Sequence, residues 1–397
     1  MTQLVIIRCD EYIPAQIRSG LHLAFEALGI KRDFQAGEQI LIKPNLLSAV
    51  APDQAVTPHP EVFRALIQNL EPMNLRLTVG DSPAFDAFEK ALRVSGLVAV
   101  AEEMGVSTAD FNGQIEASYP EGLALRRFPL AKGVAESDGL ISLSKLKTHA
   151  LTGMTGAVKN QFGVIPGQRK AHHHVQFPDT PAFAQMLVDI NLFLKPRLYV
   201  MDGIMAMEGN GPRNGQPRFT GLLLVSKDPV LLDAFGATVM NLDPQAIETI
   251  RAGAASGLGS SDLRSAAAIL YDLRDGQPAS SRERIGRAAD FAAELLIPDF
   301  VSGQSQRSMI GTLSKLGAPI VKGVIMNRPT INADLCTRCG ICVKACPLEP
   351  PAVDREKKNA VPKYQYTRCI RCYCCQEVCP AGAITVRKTM LGRLLGM

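Results

Sequence analysis

Two runs of cysteine carry the strongest chemical signal in this chain of 397 residues. Cys336, Cys339, Cys342 and Cys346 are followed by Pro347, and Cys369, Cys372, Cys375 and Cys379 by Pro380. Each cysteine of the second run lies 33 residues after its counterpart in the first. Both read C-x2-C-x2-C-x3-C-P, a spacing in which three thiolates wrap one [4Fe–4S] cubane and the fourth ligates its neighbour. It predicts one cluster on Cys336, Cys339, Cys342 and Cys379, and a second on Cys369, Cys372, Cys375 and Cys346. Zinc also takes four thiolates, but two full copies of the triplet plus Cys-Pro form a far narrower pattern than a zinc knuckle. The chemistry implied is one-electron transfer. Cys9 and Cys374 fall outside the register and read as buried free thiols, with Cys374 placed to influence the adjacent ligand Cys375.

A second chemical stretch runs from Lys145 to His174. It holds Lys145, Lys147, Lys159, Arg169 and Lys170 among Gly153, Gly156, Gly163 and Gly167, without one acidic residue. Glycine-rich turns beside lysines suit an oxyanion, because backbone N–H groups form a concave nest and the ammonium groups add charge. A carboxylate or phosphate group, on an anionic substrate or cofactor, is the natural guest. The Walker spacing is absent. A solvated basic loop is the plainer reading, although Leu151, Met154, Val158, Phe162 and Ile165 thread through it. Four of the six histidines sit here, His149 and the triplet His172, His173 and His174. An imidazole near neutral pKa can move protons or ligate metal. A triplet cannot aim every ring at one site, so at least one faces solvent.

Other polar residues follow apolar runs that read as strands: 3–8, 39–43, 75–79, 139–143, 197–201 and 221–225. Lys43 and Asn45, then Asp81 and Ser82, then Lys145, Lys147 and His149, then Asp202 and Glu208, then Lys227 and Asp228 each come just after one of these runs. In an open parallel sheet the ligand crevice lies at the carboxyl ends of the strands, so these five loops are expected to converge. Asp202 and Glu208 would supply carboxylates for proton transfer. Ser82-Pro83 and Asp228-Pro229 also read as ordinary helix starts, Lys43 as a solvated lysine, and Gly209, Gly211 and Gly215 as turn chemistry.

The positioning elements are legible as well. Strands without polar alternation suit a sheet buried on both faces. Between them, Ile13, Ile17, Leu21, Phe25 and Leu28 repeat at helical spacing and stop at Gly29; Phe183, Leu187, Ile190 and Leu194 do the same. The fold class expected is α/β, a mostly parallel sheet with helices on both faces, plus a small C-terminal α+β two-cluster domain. The divisions expected are 1–300 for the α/β domain, 301–330 for a connector, 331–386 for the cluster domain and 387–397 for a basic tail. Residues 250–300 read as helical and Ala-rich.

Composition narrows the class. The net charge of +5 lacks the concentrated basic stripe of a nucleic-acid binder. No run approaches the ~18 apolar residues of a membrane span, and no Sec-type signal is visible. A cytoplasmic, anaerobic setting is the expectation, with an electron donor or acceptor protein as partner; the oligomeric state stays open.

With these motifs in view the chain resembles the domain-of-unknown-function 362 family fused to a bacterial-type two-cluster ferredoxin. KPNLL (43–47), VGDSP (79–83), LSKLKTHALTGMTGAVKNQFGVIPG (143–167), VMDGIMAMEGNGP (200–212), SKDPVLLDAFGATVM (226–240) and RCIRCYCCQEVCP (368–380) carry the resemblance. The resemblance implies an iron–sulfur protein and names no reaction. The Lys145–His174 stretch is also similar to the nickel-pincer lactate racemases. That similarity implies His149 as acid/base, Lys159 as cofactor anchor and one of His172 to His174 as a metal ligand. It departs where Thr148 replaces the proline before the first histidine, and in its glycine spacing.

The leading expectation is a reductase. The ferredoxin-like unit would pass low-potential electrons to a small anionic substrate or cofactor in the α/β domain. Lys43, Asn45, Asp81, Ser82, Lys145, Lys147, Lys170, His172 and His174 would bind it, and His149, Lys159, Asp202 and Glu208 would act on it. A carrier docking a partner enzyme, or a metal- or sulfur-handling site, are the alternatives. Residues 331–386 hold eight Lys/Arg against five Asp/Glu, so clusters of roughly −2 each leave the unit near neutral. That favours an acceptor within the same chain. Anaerobically reconstituted protein is expected to contain about eight irons and eight sulfides by elemental analysis; about four of each would remove one cluster.

Overall fold

The computed structural model describes residues 2–83, 86–167, 169–275, 282–302 and 327–387. Most of the expected connector and nearly all of the tail lie outside them. The strands, in chain order, are β1 Leu4–Arg8, β2 Gln39–Pro44, β3 Arg76–Val79, β4 Ser107–Thr108, β5 Gln114–Ser118, β6 Arg127–Ala131, β7 Gly139–His149 and β8 Gly153–Met154. They continue as β9 Leu198–Glu208, β10 Gln216–Ser226, β11 Ala267–Asp272 and β12 Glu283–Arg287. One large sheet runs β12-β11-β1-β10-β9-β7-β2-β3-β4, with β8 paired to β7, while β5 and β6 form a separate hairpin. The pairs β1/β11, β2/β3, β2/β7, β3/β4 and β7/β9 are parallel. β10 is antiparallel to both its neighbours and β12 to β11.

Alternation along the strands places successive side chains on opposite faces. Leu4, Ile6, Leu41, Leu140, Met201 and Leu224 join one apolar core. Val5, Ile7, Ile42, Ile141, Val200 and Val225 join the other. The helix Pro14–Leu28 covers the second face with Ile17, Leu21 and Phe25, and ends at Gly29, which is left-handed at φ 63°. The helix Thr180–Leu194 covers the first with Phe183, Leu187 and Ile190, its N-terminus capped by Asp179.

The structure corrects the sequence reading in four places. β7 and β9 run 11 residues each; Lys145, Lys147 and His149, like Asp202 and Glu208, therefore lie on strands, not on loops beyond them. β10 reverses direction, so Lys227 and Asp228 emerge at the opposite sheet edge. There Lys227 pairs with Asp33, and Asp228 caps the helix Pro229–Val239 through Val230 and Leu231 N–H. Residues 250–300 contain β11 and β12 as well as helix. Ser82 does not cap the next helix, which starts at Phe88 behind Ala87.

The smaller unit is built from β13 Arg328–Ile331, β14 Val353–Asp354, β15 Lys363–Tyr364 and β16 Ile384–Arg387. β13 pairs with β16 and β14 with β15. Two short helices, Ile341–Lys344 and Cys374–Glu377, each carry the third cysteine of a triplet. The β9–β10 hairpin holds this unit to the sheet. The buried Gln376 Nε2 donates to Asn210 O at 3.0 Å, Asn210 Oδ1 at 2.9 Å and Gly211 O at 3.1 Å. Asn210 Nδ2 donates to Ile384 O at 3.1 Å, and Asn214 Nδ2 to Cys379 O at 3.1 Å. The glycine-rich turn read as turn chemistry is thus the docking element. Among the described residues no helix is long and apolar enough to cross a membrane. Gln376→Ala removes three of these bonds, each worth about 1 kcal/mol. Amide exchange over 209–214 is expected to quicken roughly a hundredfold, with the cluster absorption unchanged.

Candidate functional site

Each cysteine set closes on a cavity. Cys336, Cys339, Cys342 and Cys379 line one, with Ile331, Pro362 and Ile384 around them. Cys369, Cys372, Cys375 and Cys346 line the other. Each cavity thus gathers three cysteines of one run and the fourth of the other. Among the described residues no three of His, Cys, Asp or Glu converge tightly enough to hold one metal ion. Four thiolates around each cavity are the donor set that a [4Fe–4S] cluster would take. Cys346 Sγ receives a hydrogen bond from Ala352 N and Cys375 Sγ one from Tyr364 Oη, both at 3.2 Å.

The second centre lies where β7 and the helix Ala157–Asn160 meet the helix Cys374–Glu377. Lys43, at the end of β2, is fully buried and pairs with Asp81 at 2.7 Å; it is not a solvated lysine. Asp81 also accepts from Leu46 N at 2.7 Å. A Cβ on Gly163 would stand 1.8 Å from Asp81 Oδ1, so only glycine lets the 161–164 turn close over this pair. Ser82 Oγ accepts from Gly167 N at 2.9 Å, and Lys170 Nζ donates to Ser82 O and Pro83 O. Ser82 thus ties the basic stretch to the sheet edge.

Lys147, wholly buried, donates to Val56 O at 2.6 Å and meets no carboxylate. Burial first, then the Lys159 and Lys145 charges, pull its pKa far below the ordinary lysine value. Lys159 has neither a hydrogen bond nor an ion pair among the described residues. Its ammonium lies 5.8 Å from the centre of the Phe162 ring. Burial lowers its pKa as well, while the neighbouring Glu377, Cys374 and Asp81 work the other way. The helix that carries it is fixed by Asp233, which accepts from Ala157 N at 2.6 Å and Val158 N at 3.1 Å. Lys170 is brought down to about 7, chiefly by burial.

His149 completes the cluster of side chains. Its Nδ1 accepts from Leu151 N at 3.0 Å, which puts the neutral ring's proton on Nε2. Nε2 lies 3.2 Å from Glu377 Oε1 but makes no hydrogen bond with it. Burial, then the Lys159 charge, lower the His149 pKa to about 4, so the ring is neutral at pH 7. Burial opposes the Glu377 charge, yet His149, Lys159 and His174 outweigh it and bring the carboxyl to about 2. Glu377 comes from the cluster-binding helix, two residues after Cys375. Among the described residues Thr57 Oγ1, which follows the Val56 carbonyl that Lys147 bonds, Thr155 Oγ1 and Asn45 Oδ1 are buried without hydrogen-bond partners, and such orphaned atoms are places that a polar guest would complete.

Not every expected residue belongs here. Lys145 pairs with Asp202 at 2.7 Å, and Asp202 further accepts from His59 N at 2.9 Å, Ile204 N at 3.1 Å and Tyr12 Oη at 3.1 Å. That closed network leaves Asp202 no contact with His149. The β7–β9 register shifts between Lys145 and Lys147, which separates two lysines that a regular strand would keep together. Glu208 binds Val301 N at 3.0 Å and approaches Arg218 at 3.8 Å. His172 is exposed, whereas His173 and His174 are buried. The sequence missed Glu377 as a site residue because its only signal, an acidic residue between two ligands, is silent about what it faces.

Residues 40–238 match the family described as Domain of unknown function (DUF362). The chain belongs to this family. Residues 328–380 match the 4Fe-4S dicluster domain, so the C-terminal unit of this DUF362 protein is a ferredoxin-type iron–sulfur, electron-transfer unit. Thylakoid-associated protein sll1697 of Synechocystis sp. is 34% identical over 255 residues, 64% of this chain and 79% of that protein. Among solved structures, the lactate racemase apoprotein of Thermoanaerobacterium thermosaccharolyticum has a TM-score of 0.39 at 10% identity, covering 60% of this chain and 57% of its own. A Thermotoga maritima protein has a TM-score of 0.32 at 13% identity, covering 55% and 56%. This chain thus spans a little over half the length of either structure.

His174 stacks on Phe183 at 4.6 Å between ring centres, and burial lowers its pKa from 6.5 to about 4. A depressed histidine contributes stability that is complete above pH 6.5 and lost as pH falls toward 4, up to about 3 kcal/mol. The stability gap between wild type and His174→Phe, from denaturant titrations, is expected to shift toward the variant by that order between pH 7 and pH 5.

Proposed function

We propose that this protein is a ferredoxin-linked reductase. Its two [4Fe–4S] clusters would sit on the crossed cysteine sets, and its small anionic substrate or cofactor among Lys147, Lys159, His149 and Glu377. The observation that supports this most directly is the pair Lys147 and Lys159, ammonium groups without carboxylate partners, set against the helix that bears Cys374, Cys375 and Glu377. The clusters, when bound, supply single electrons at low potential.

Everything else is done by side chains. Lys147 and Lys159 hold the anionic group of the guest, and the charge they return offsets their own lost hydration. His149, neutral with its proton on Nε2, offers that proton to the bound group. Glu377 opposes a second anion from the cluster side and so fixes which end of the guest enters first. Lys43 and Asp81 satisfy one another and support the turn above. Phe162 and the buried histidines keep water out, which strengthens each charge interaction. We place the reaction in the cytoplasm; the name of the Synechocystis relative raises a membrane-side location as the competing one.

Lys159→Gln and His149→Gln are expected to abolish reduction of the guest, by at least a hundredfold in kcat/KM. The iron content and visible spectrum of both variants should match wild type. A carrier without its own acceptor would instead keep its full electron-transfer rate to added acceptors in both variants, and that result would sink the reductase reading. Mass spectrometry of the anion released by denaturation identifies the guest.

A further inference from the structure

The two cysteine sets meet different surroundings. Cys339 is exposed and Cys336 half-buried, and Leu335 beside them is 55% exposed. No cysteine of the Cys369 set is exposed, and Cys375 is buried. Its neighbours Tyr373 and Cys374 are buried too, and the helix they begin points Glu377 at His149. The ferredoxin-type unit therefore has an outer end at Cys339 and an inner end at the lysine site.

The outer end wears a basic collar. Arg355 lies over Gly340, so close that a Cβ there would stand 2.6 Å from its Cζ. Its guanidinium donates to Arg338 O at 3.0 Å and Lys358 O at 2.7 Å, which gathers Arg338, Arg355, Lys357 and Lys358 around the 337–340 loop. Of these, Arg338, Lys357 and Lys358 are exposed. Asp354 accepts from Arg355 N, and Glu356 is taken up by Lys363 at 2.7 Å. The exposed Asp334 and Asp354 keep their charge, so this edge sets four cationic groups, Arg338, Arg355, Lys357 and Lys358, against two carboxylates; it stays net positive, and Leu335 gives it an apolar centre.

We infer that the face formed by Leu335, Arg338, Lys357 and Lys358 is the docking surface for an acidic one-electron donor protein of the flavodoxin or ferredoxin class. This deepens the reductase reading, which supplies the need for a donor. Each encounter oxidises the donor by one electron and reduces the ferredoxin-type unit by one, with no bond made or broken. Two encounters serve a two-electron reduction at the inner site. A positive collar meeting a negative donor speeds association and orients it, and salt screens the effect.

The test uses the full-length, cluster-loaded protein and an acidic flavodoxin. Lys357→Glu combined with Lys358→Glu should weaken binding of oxidised flavodoxin in calorimetry about tenfold at low salt. The same variant should slow electron transfer from flavodoxin hydroquinone by a similar factor, and both differences should fade at about 0.5 M salt. Iron content should be unchanged. Lys31→Glu combined with Arg93→Glu, exposed charges on the α/β domain, should change neither quantity. Unchanged binding and rate in the collar variant, or an equal loss in the control, overturns the surface. The inner site is read separately with Lys147→Gln. If that variant loses substrate reduction while the collar variant behaves as wild type, only the docking surface fails. If the collar variant responds while the wild-type protein reduces none of the anions released from it by denaturation, only the reductase reading fails.

Discussion

Lys147 sets the terms for this molecule, with the partly exposed Lys159 beside it, because a buried ammonium group is stable only where something returns the hydration it has lost. Elsewhere the chain does this with carboxylates, Asp81 for Lys43 and Asp202 for Lys145, each at 2.7 Å. At Lys147 it offers a single carbonyl, and at Lys159 an aromatic ring. The remaining compensation comes from across the unit boundary, in the form of Glu377. The lysine site is therefore complete only when the ferredoxin-type unit is seated on the sheet.

That seating has its own structural cause. β9 and β10 extend well past the strands expected from the sequence, and their turn carries Asn210, Gly211 and Asn214 to the cluster helix. Gln376, between Cys375 and Cys379, fastens that helix with one buried amide. The residues that hold the unit in place thus alternate with those that line its cavities and with the one that faces His149. Position, ligation and electrostatics share a single turn of helix.

The close approach of backbone segments is equally specific. Gly163 lets the turn after Lys159 lie against the Lys43–Asp81 pair, and Gly156 leaves room for Asp233, whose Oδ1 a Cβ there would meet at 2.2 Å. Asp233 in turn holds the N–H groups that begin the Lys159 helix. Two of the glycines that suggested an anion nest in the sequence, Gly156 and Gly163, act instead by admitting carboxylates from other segments. Their place in the site is real, but their chemistry is steric.

The sequence by itself determined the two cysteine sets and the layers. Cysteine spacing is a local property, since three thiolates within seven residues need only a tight loop. Hydrophobic periodicity likewise fixed the faces of β1, β2 and the helices Pro14–Leu28 and Thr180–Leu194. It could not show where β7 and β9 end, because buried lysines and carboxylates on a strand read as a polar loop. It could not separate Lys145 from Lys147 either, since the register shift that divides them exists only in the pairing with β9. Only the folded chain decided that Asp202 would neutralise Lys145, that His172 would face solvent, and that Glu377 would cross to His149. Those choices rest on contacts between residues as many as 228 positions apart, for which no local pattern can stand in.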